Sequence, residues 1–391
     1  MKLISAGSVN AAREDKPRLM FVVTEDWYFV SHRLGLAMAA VRAGYEVAVA
    51  TRVGREADTL AASSLTIIPL AQMSRGSSSN PWREICAIAE LFRVYRAWRP
   101  DIVHHVAFKP VIYGGIAASL AGVRFRVHAL AGLGYLFNSP SVRARLFRVL
   151  AQPMLALVLH GRSSRLILQN PDDMSALSSS GVLSGVNVRL IRGAGVDTEH
   201  FAALPLPPGR PLVVMASRML WSKGVGDFVA IACGLRAAGV DARFALVGKS
   251  DAGNPAAVPE HQLEEWGRSG DVEWWGHRED MPQVFGAAAV VCLPSTYGEG
   301  VPKTLIEAAS CGRPVVAYDV PGCREVVRNG HNGFLVPPGD VAAFAAAVRQ
   351  LLDDAALRAA MGGRAREMAI AEFSDAIVYA ATLDVYLELL T

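Results

Sequence analysis

Residues 289–318 read "AVVCLPSTYGEGVPKTLIEAASCGRPVVAY". An apolar run at 289–293 enters a loop carrying Gly298, Gly300 and Pro302, an apolar helical stretch follows, and a second apolar run occupies 314–318. Strand, helix and strand at this spacing make a parallel βαβ unit. The pattern extends in both directions. Strands are expected at 18–24, 45–51, 65–69, 101–106, 124–130, 164–168 and 187–191, then at 212–216, 242–247 and 271–275, with helices at 29–43, 82–98, 142–160, 171–179, 340–352, 354–369 and 373–390. The segment 193–211, "GAGVDTEHFAALPLPPGRP", breaks the periodicity with Pro and Gly and reads as a junction. The expected fold is α/β, with two doubly wound, Rossmann-like parallel-sheet domains facing across a cleft at the carboxyl ends of their strands. Their expected limits are 18–197 and 198–373, after a flexible 1–17, with a helix at 374–391 packing back on the first domain.

With 391 residues, 52% of them hydrophobic, the chain can build two cores. Its longest apolar run, 149–159, holds Gln152 and Pro153 and falls well short of the roughly 20 residues of a membrane span. Residues 1–17 lack the apolar core of a signal peptide. Five cysteines without a Cys-x-x-Cys pair suit inert thiols in a reducing compartment. The net charge of +3 hides an asymmetry: residues 1–195 hold 23 Lys+Arg against 12 Asp+Glu, +11, and residues 196–391 hold 16 against 24, −8. The basic half is expected to meet an anionic surface.

Strand 212–216 runs into "SRMLWSKGVGDF", which sets Arg218 and Lys223 beside a helix start. Two cations there form an anion site suited to a diphosphate, although alone they also describe a solvated loop. Beyond strand 289–293, Gly298 and Gly300 allow close approach of the backbone. Pro302 suits a first helical turn, so the amides of Gly300, Val301, Lys303 and Thr304 can meet phosphate or sugar oxygens. Glu299 lies on this loop and Glu307 lies inside the helix. Carboxylates near a helix start need no function, yet Glu307 stands in a run otherwise fit for burial and so requires partners, which ribose hydroxyls would supply.

These residues carry a resemblance. "EGVPKTLIE" resembles the Glu-x7-Glu signature of retaining GT-B glycosyltransferases of family four, and the likeness continues through "GAGVDTEHF", "SRMLWSKGV", "LVGKSDAGNPAA", "GHREDMPQVFGAAAVVCLPS" and "GRPVVAYDVPGCREVVRNGHNGFLVPPGD". It is strongest toward the bacterial branch that builds capsules and lipid-linked oligosaccharides. The resemblance implies a nucleotide sugar in the second domain, with Arg218 and Lys223 on the diphosphate, Glu299 at the donor sugar, Glu307 on the ribose, and the base near Val247, Gly248, Gly276 and Arg278. It implies retention of configuration by front-side attack, with no metal and no cofactor beyond the donor. The absence of an Asp-x-Asp motif is consistent with that. The pairs at 172–173 and 353–354 read as helix starts or solvated acids. Donors in nearby branches are UDP-N-acetylhexosamines, UDP-hexoses or GDP-mannose, and a UDP-sugar is the first expectation.

In the first domain, His32 and Arg33 stand where the family often has a Phe-Arg pair, and Lys109 follows strand 101–106; all three are acceptor-side candidates, along with the loop of Gly132 and Gly134. Relatives carry a His where this chain has Ala131, and His128 precedes it by three residues within the strand, so no catalytic His is assigned. His104 and His105 are adjacent in a strand and face opposite ways, which argues against a metal site. Helices 82–98 and 142–160 bear the aromatics Trp82, Tyr95 and Trp98 and the cations Arg83, Arg93, Arg96, Arg143, Arg145 and Arg148 among apolar residues, suiting an anionic membrane surface. The expected partners are therefore a nucleotide sugar, a polyprenyl-diphosphate-linked acceptor and the inner membrane face, and no nucleic acid. An epimerase of the same fold and a non-catalytic membrane-surface protein are the alternatives.

Overall fold

The computed structural model describes residues 16–73, 80–133, 142–251 and 253–391, without the side chains of 142–147 and 150. Most of the expected flexible start, the loop at 74–79, Gly134, and the side chains of Arg143 and Arg145 lie outside the described residues. The chain divides into two compact units. The first takes Met1–Ala131, Ser139–Ile191 and Tyr379–Thr391, and the second takes Gly132–Asn138 and Arg192–Val378.

The first unit is built from β1 (Arg18–Glu25), α1 (Asp26–His32), α2 (Leu34–Arg42), β2 (Glu46–Arg52), α3 (Ala57–Ala62), β3 (Thr66–Pro69), α4 (Pro81–Trp98), β4 (Ile102–Val106), α5 (Phe108–Ala121), β5 (Phe125–Leu130), α6 (Val142–Leu159), β6 (Ser164–Leu168), α7 (Pro171–Ser179) and β7 (Val188–Leu190). Its seven strands are all parallel in the order β3-β2-β1-β4-β5-β6-β7. Strands β1 and β4 are buried along most of their length, as parallel strands covered on both faces must be. Local chemistry sets the helix ends. Asn80 accepts from the Trp82 amide at 3.0 Å, ahead of Pro81, and Asn170 accepts from the Asp173 amide at 2.7 Å, so the pair 172–173 sits in the first turn of α7.

The expected helix 29–43 is two helices. Arg33 breaks it at φ −132, and its side chain turns inward, leaving the residue 6% exposed. Three buried histidines lie nearby. His104 Nδ1 meets the Tyr386 hydroxyl at 2.5 Å on one face of β4; on the other, His105 bonds Tyr95 at 2.9 Å and His128 at 3.2 Å. Burial keeps all three neutral, with the Arg33 charge adding to the effect at His104.

The second unit contains β8 (Leu212–Ala216), a 3-10 turn (Trp221–Lys223), α8 (Val225–Ala237), β9 (Arg243–Val247), α9 (Glu260–Ser269), β10 (Glu273–Trp274), α10 (Met281–Ala287), β11 (Val290–Leu293), α11 (Lys303–Ser310), β12 (Val315–Tyr318), α12 (Cys323–Val326), β13 (Gly333–Val336), α13 (Val341–Asp353) and α14 (Ala355–Phe373). The parallel order is β10-β9-β8-β11-β12-β13. Strand β13 goes unmarked in the sequence because it is short and only half buried; pairing with β12 from Gly333 to Val336 makes it a strand. The junction segment is fastened by arginines. Arg313 donates to the carbonyls of Leu204, Phe285 and Gly286, and Arg366 donates to that of Phe201, satisfying buried backbone acceptors that no ladder reaches. The last helix, α15 (Asp375–Leu390), starts in the second unit and ends in the first.

Candidate active site

Strand order reverses between β8 and β11 in the second sheet, and at such a switch point the loops leaving the two strands diverge and open a crevice. The loop after β8 carries Arg218 and Lys223, and the loop after β11 carries Ser295 to Gly300. Hydrogen bonds lace them together. The Ser222 carbonyl accepts from the Thr296 amide at 3.1 Å and from the Thr296 hydroxyl at 3.2 Å, and the Tyr297 hydroxyl donates to Ser222 Oγ at 2.8 Å. Gly224, at φ +77, closes the turn where a Cβ would fall 1.8 Å from the Pro294 carbonyl oxygen, so only glycine fits.

This lacing brings Lys223 onto Glu299. Lys223 Nζ bonds Glu299 Oε1, and Ser295 Oγ donates to the same oxygen at 2.7 Å. Burial pushes the Glu299 carboxyl up, but Lys223, Ser295 and the Arg218 charge outweigh it and hold the group below the usual carboxylate range. The carboxylate is therefore ionised beside two cations. Arg218 Nη1 bonds Asp251 Oδ2 at 3.1 Å.

Glu307 behaves in the opposite way. It lies in α11, 8% exposed, with Lys303 Nζ at 3.3 Å. Burial raises its carboxyl, and the charges of Lys303 and His200 offset only part of that. Pro302 is the residue before α11 rather than in its first turn, and its carbonyl accepts from the amides of Leu305 and Ile306. Val301 is buried and Thr304 half-buried. Gly298 and Gly300 complete the turn; Gly322 packs so closely on it that a Cβ would fall 1.7 Å from the Gly300 carbonyl oxygen. Gly132, of the same unit, has φ +90, and a Cβ there would lie 2.5 Å from the Gly300 nitrogen.

The residues expected near a base are arranged around β9. Gly248, at φ +144, donates its amide to the Gly276 carbonyl at 2.7 Å and accepts from Trp274 Nε1 at 2.9 Å. Gly276 at φ +64 has open space where a Cβ would be. Arg278 forms a two-point fork with Asp280, at 2.7 and 2.5 Å, next to the Trp275 ring.

The cations of the first unit expected on the acceptor side are engaged. Arg33, expected as an acceptor-side cation, is buried, 6% exposed. Lys109 pairs with Glu84 at 2.9 Å and lies over the Tyr113 ring, largely buried. His32 stacks on Tyr28 with centroids 4.2 Å apart and bonds Ser31. The sequence reading did not single out Ser222, Ser295, Tyr297 or Asp251. Ser295 and Tyr297 sit inside the quoted loop, but nothing in their spacing distinguishes a carboxylate partner from an ordinary loop residue.

Known proteins resemble this architecture. Residues 18–170 match the family model "Glycosyl transferase 4-like", and residues 210–354 match "Glycosyl transferases group 1". The chain is 25% identical over 323 residues, covering 79% of it and 83% of its relative, to the N,N'-diacetylbacillosaminyl-diphospho-undecaprenol alpha-1,3-N-acetylgalactosaminyltransferase of Campylobacter jejuni. It is 25% identical over 288 residues, 70% of this chain and 72% of the relative, to the UDP-Gal:alpha-D-GlcNAc-diphosphoundecaprenol alpha-1,3-galactosyltransferase of Escherichia coli. Among solved structures, the sucrose-phosphate synthase of Thermosynechococcus elongatus superposes with a TM-score of 0.77 at 20% identity, covering 96% of this chain and 99% of that one. The Anabaena HepE protein in complex with UDP gives 0.75 at 19%, covering 95% and 100%. Two parallel sheets in this strand order, matched along nearly their whole length, and two family models that between them take in both units lead to one assignment: the chain belongs to the family-four glycosyltransferases of the GT-B fold.

Proposed function

We propose that this glycosyltransferase moves a hexose or N-acetylhexosamine from a nucleotide-diphosphate sugar, in the first instance a UDP-sugar such as a UDP-N-acetylhexosamine, to a polyprenyl-diphosphate-linked saccharide, with retention of configuration. The observation that carries the reading is the partly buried cluster of Lys223, Ser295 and Glu299 with the Arg218 charge close by, at the switch point of the second sheet. In this reading the cations and the amides of Gly300, Val301, Lys303 and Thr304 stabilise the departing diphosphate, Glu299 lies against the donor sugar, and Glu307 holds the ribose. Attack comes from the face the diphosphate leaves, through a short-lived oxocarbenium-like ion pair, and needs no metal. Gly248, Gly276 and Arg278 border the base. His32 and Gly132 stay on the acceptor side, while Arg33 and Lys109 act there only through the structure they hold.

The acceptor assignment draws on the two undecaprenol-linked relatives. Among the described residues no helix is long and apolar enough to cross a membrane, and we assign the chain to peripheral contact at the inner membrane face. The outward face of α4 supports this. Trp82 is 69% exposed and Ile85 53%, and Arg83, Arg93 and Arg96 are exposed on the same helix, whereas Tyr95 and Trp98, expected on that surface, pack into the core. The helix's two acids are turned elsewhere: Glu84 onto Lys109, Glu90 onto the amides of Ala71 and Gln72. On α6, Val149 and Leu157 are exposed apolar residues one or more turns apart.

The test is turnover with nucleotide sugars and a polyprenyl-diphosphate saccharide, followed by release of nucleoside diphosphate. Glu299→Ala is expected to lower kcat at least ~100-fold, in the range seen when a group stabilising developing charge is removed. Full turnover in that variant would refute the site assignment.

A further inference from the structure

The expected donor cations do not stand open. Lys223 is bonded to Glu299, Lys303 to Glu307, and Arg218 to Asp251. Each of these cations thus has its own carboxylate, although the ligand expected here is an anion. Of the three carboxylates, Asp251 has no role in the reading above.

Its position is built rather than accidental. The loops after β8 and β9 are joined by backbone bonds: the Met219 amide to the Lys249 carbonyl at 3.0 Å, the Trp221 amide to Ala256 at 2.8 Å, and the Val258 amide to Met219 at 2.9 Å. Ser250 Oγ donates to the Val258 carbonyl at 2.6 Å, and the Asn254 amide caps the Asp251 carbonyl at 2.7 Å. Asp251 is therefore presented to Arg218 by loops that are hydrogen-bonded to each other. The contact itself is weak in kind. It is a single-point pair in which the Arg218 side chain is 43% exposed, and it is the one hydrogen bond of that guanidinium among the described residues. A diphosphate offers two-point, charge-assisted bonding to the same fork.

We propose that Asp251 is a place-holding counter-ion, which pairs Arg218 while the site is empty and yields it when the donor diphosphate arrives. The inference rests on the reading that Arg218 binds that diphosphate. Donor affinity is then set below what the two cations alone would give, because binding includes the loss of the Asp251 pair. The same competition returns Arg218 to Asp251 as the nucleoside diphosphate leaves, which favours product release.

The experiment is calorimetric titration of the purified full chain with UDP, and with GDP in parallel, at low and high salt, using wild type, Asp251→Asn, Arg218→Ala and the double variant. An exposed one-point pair is worth about two- to fivefold in an equilibrium constant. Asp251→Asn is therefore expected to bind the tighter-binding nucleotide about two- to fivefold more tightly than wild type, with a steeper loss of affinity as salt rises. In the Arg218→Ala background the same substitution is expected to change nothing. A residue that merely supported the loop would give weaker binding on replacement. Equal or weaker binding by Asp251→Asn, with its melting temperature unchanged, overturns the proposal, as does tightening that persists without Arg218. Arg218→Ala separates the two layers: if it leaves nucleotide affinity intact, the donor-site reading falls and takes the inference with it, whereas weakening there without tightening in Asp251→Asn overturns the inference alone.

Discussion

At the scale of single residues, the two glutamates of the quoted loop and helix are held in opposite electrostatic states. The folded Glu299 carboxyl is lowered, so its contribution to stability is present above the unfolded value and is lost as pH falls through the folded one. Glu307 is raised, so its charge is a penalty at neutral pH that fades as pH falls through its folded value. Glu299→Gln leaves Lys223 partly buried without its carboxylate and is expected to cost about 1–3 kcal/mol near neutral pH, between the values for exposed and buried pairs, with the loss shrinking in acid. Glu307→Gln removes a desolvated charge and is expected to lie within about 1 kcal/mol of wild type, or above it. Urea unfolding of both variants near pH 7 and pH 4 checks the two signs; a like-signed response would show that burial, not the Lys223 pair, dominates Glu299. The Glu-x7-Glu spacing was legible in the sequence, but these states were not. They depend on Ser295, Lys223 and Lys303 reaching particular oxygens, which only the folded loops arrange.

At the scale of elements, alternation of apolar runs located nearly every strand to within a residue or two, because strands buried on both faces leave a plain mark. Two features escaped it. Strand β13 depends on a neighbour for its hydrogen bonds, and the break at Arg33 accompanies a side chain whose charge is felt at His104 of β4 and Tyr386 of α15, distant in the sequence. The turn at Gly224 gives a test of how far local geometry fixes the site. Gly224 and Gly239 share φ +77, but a Cβ at Gly224 would strike the Pro294 carbonyl, whereas at Gly239 it meets nothing within 4 Å. Gly239→Ala is expected to cost about 1 kcal/mol, the left-handed backbone penalty alone. Gly224→Ala adds a backbone clash and is expected to cost about 3 kcal/mol or more, and to lower turnover because Lys223 precedes it directly. Equal losses of thermal stability in the two variants would show that the turn relaxes freely.

For the whole molecule, the charge asymmetry between residues 1–195 and 196–391 falls on two chemically different units. The first shows exposed arginines on the same helix, α4, as exposed Trp82 and Ile85; the second contains the paired acids and bases of the proposed donor site. Binding to vesicles containing anionic phospholipid is expected to weaken with salt, since each basic residue near such a surface contributes about 1 kcal/mol. Replacing Trp82 and Ile85 together by Ala is expected to weaken it at least ~10-fold while leaving nucleotide affinity unchanged, as read by vesicle co-sedimentation and calorimetry. Retention of vesicle binding in the double variant would move the contact to another face.

Sequence alone determined the α/β class, the order of strands and helices, the placing of Arg218 and Lys223 on the loop beyond a strand, and, through motif resemblance, the family. Those properties are carried by periodicity and by short contiguous motifs, which need no knowledge of what lies opposite. The tertiary structure decided which carboxylate each cation meets, that Arg33 and Lys109 turn inward, and that Ser295 bonds Glu299 and Asp251 bonds Arg218. The reason is physical: an ion pair or a shared hydrogen bond forms between loops that leave different strands, and only the parallel sheet brings their ends together.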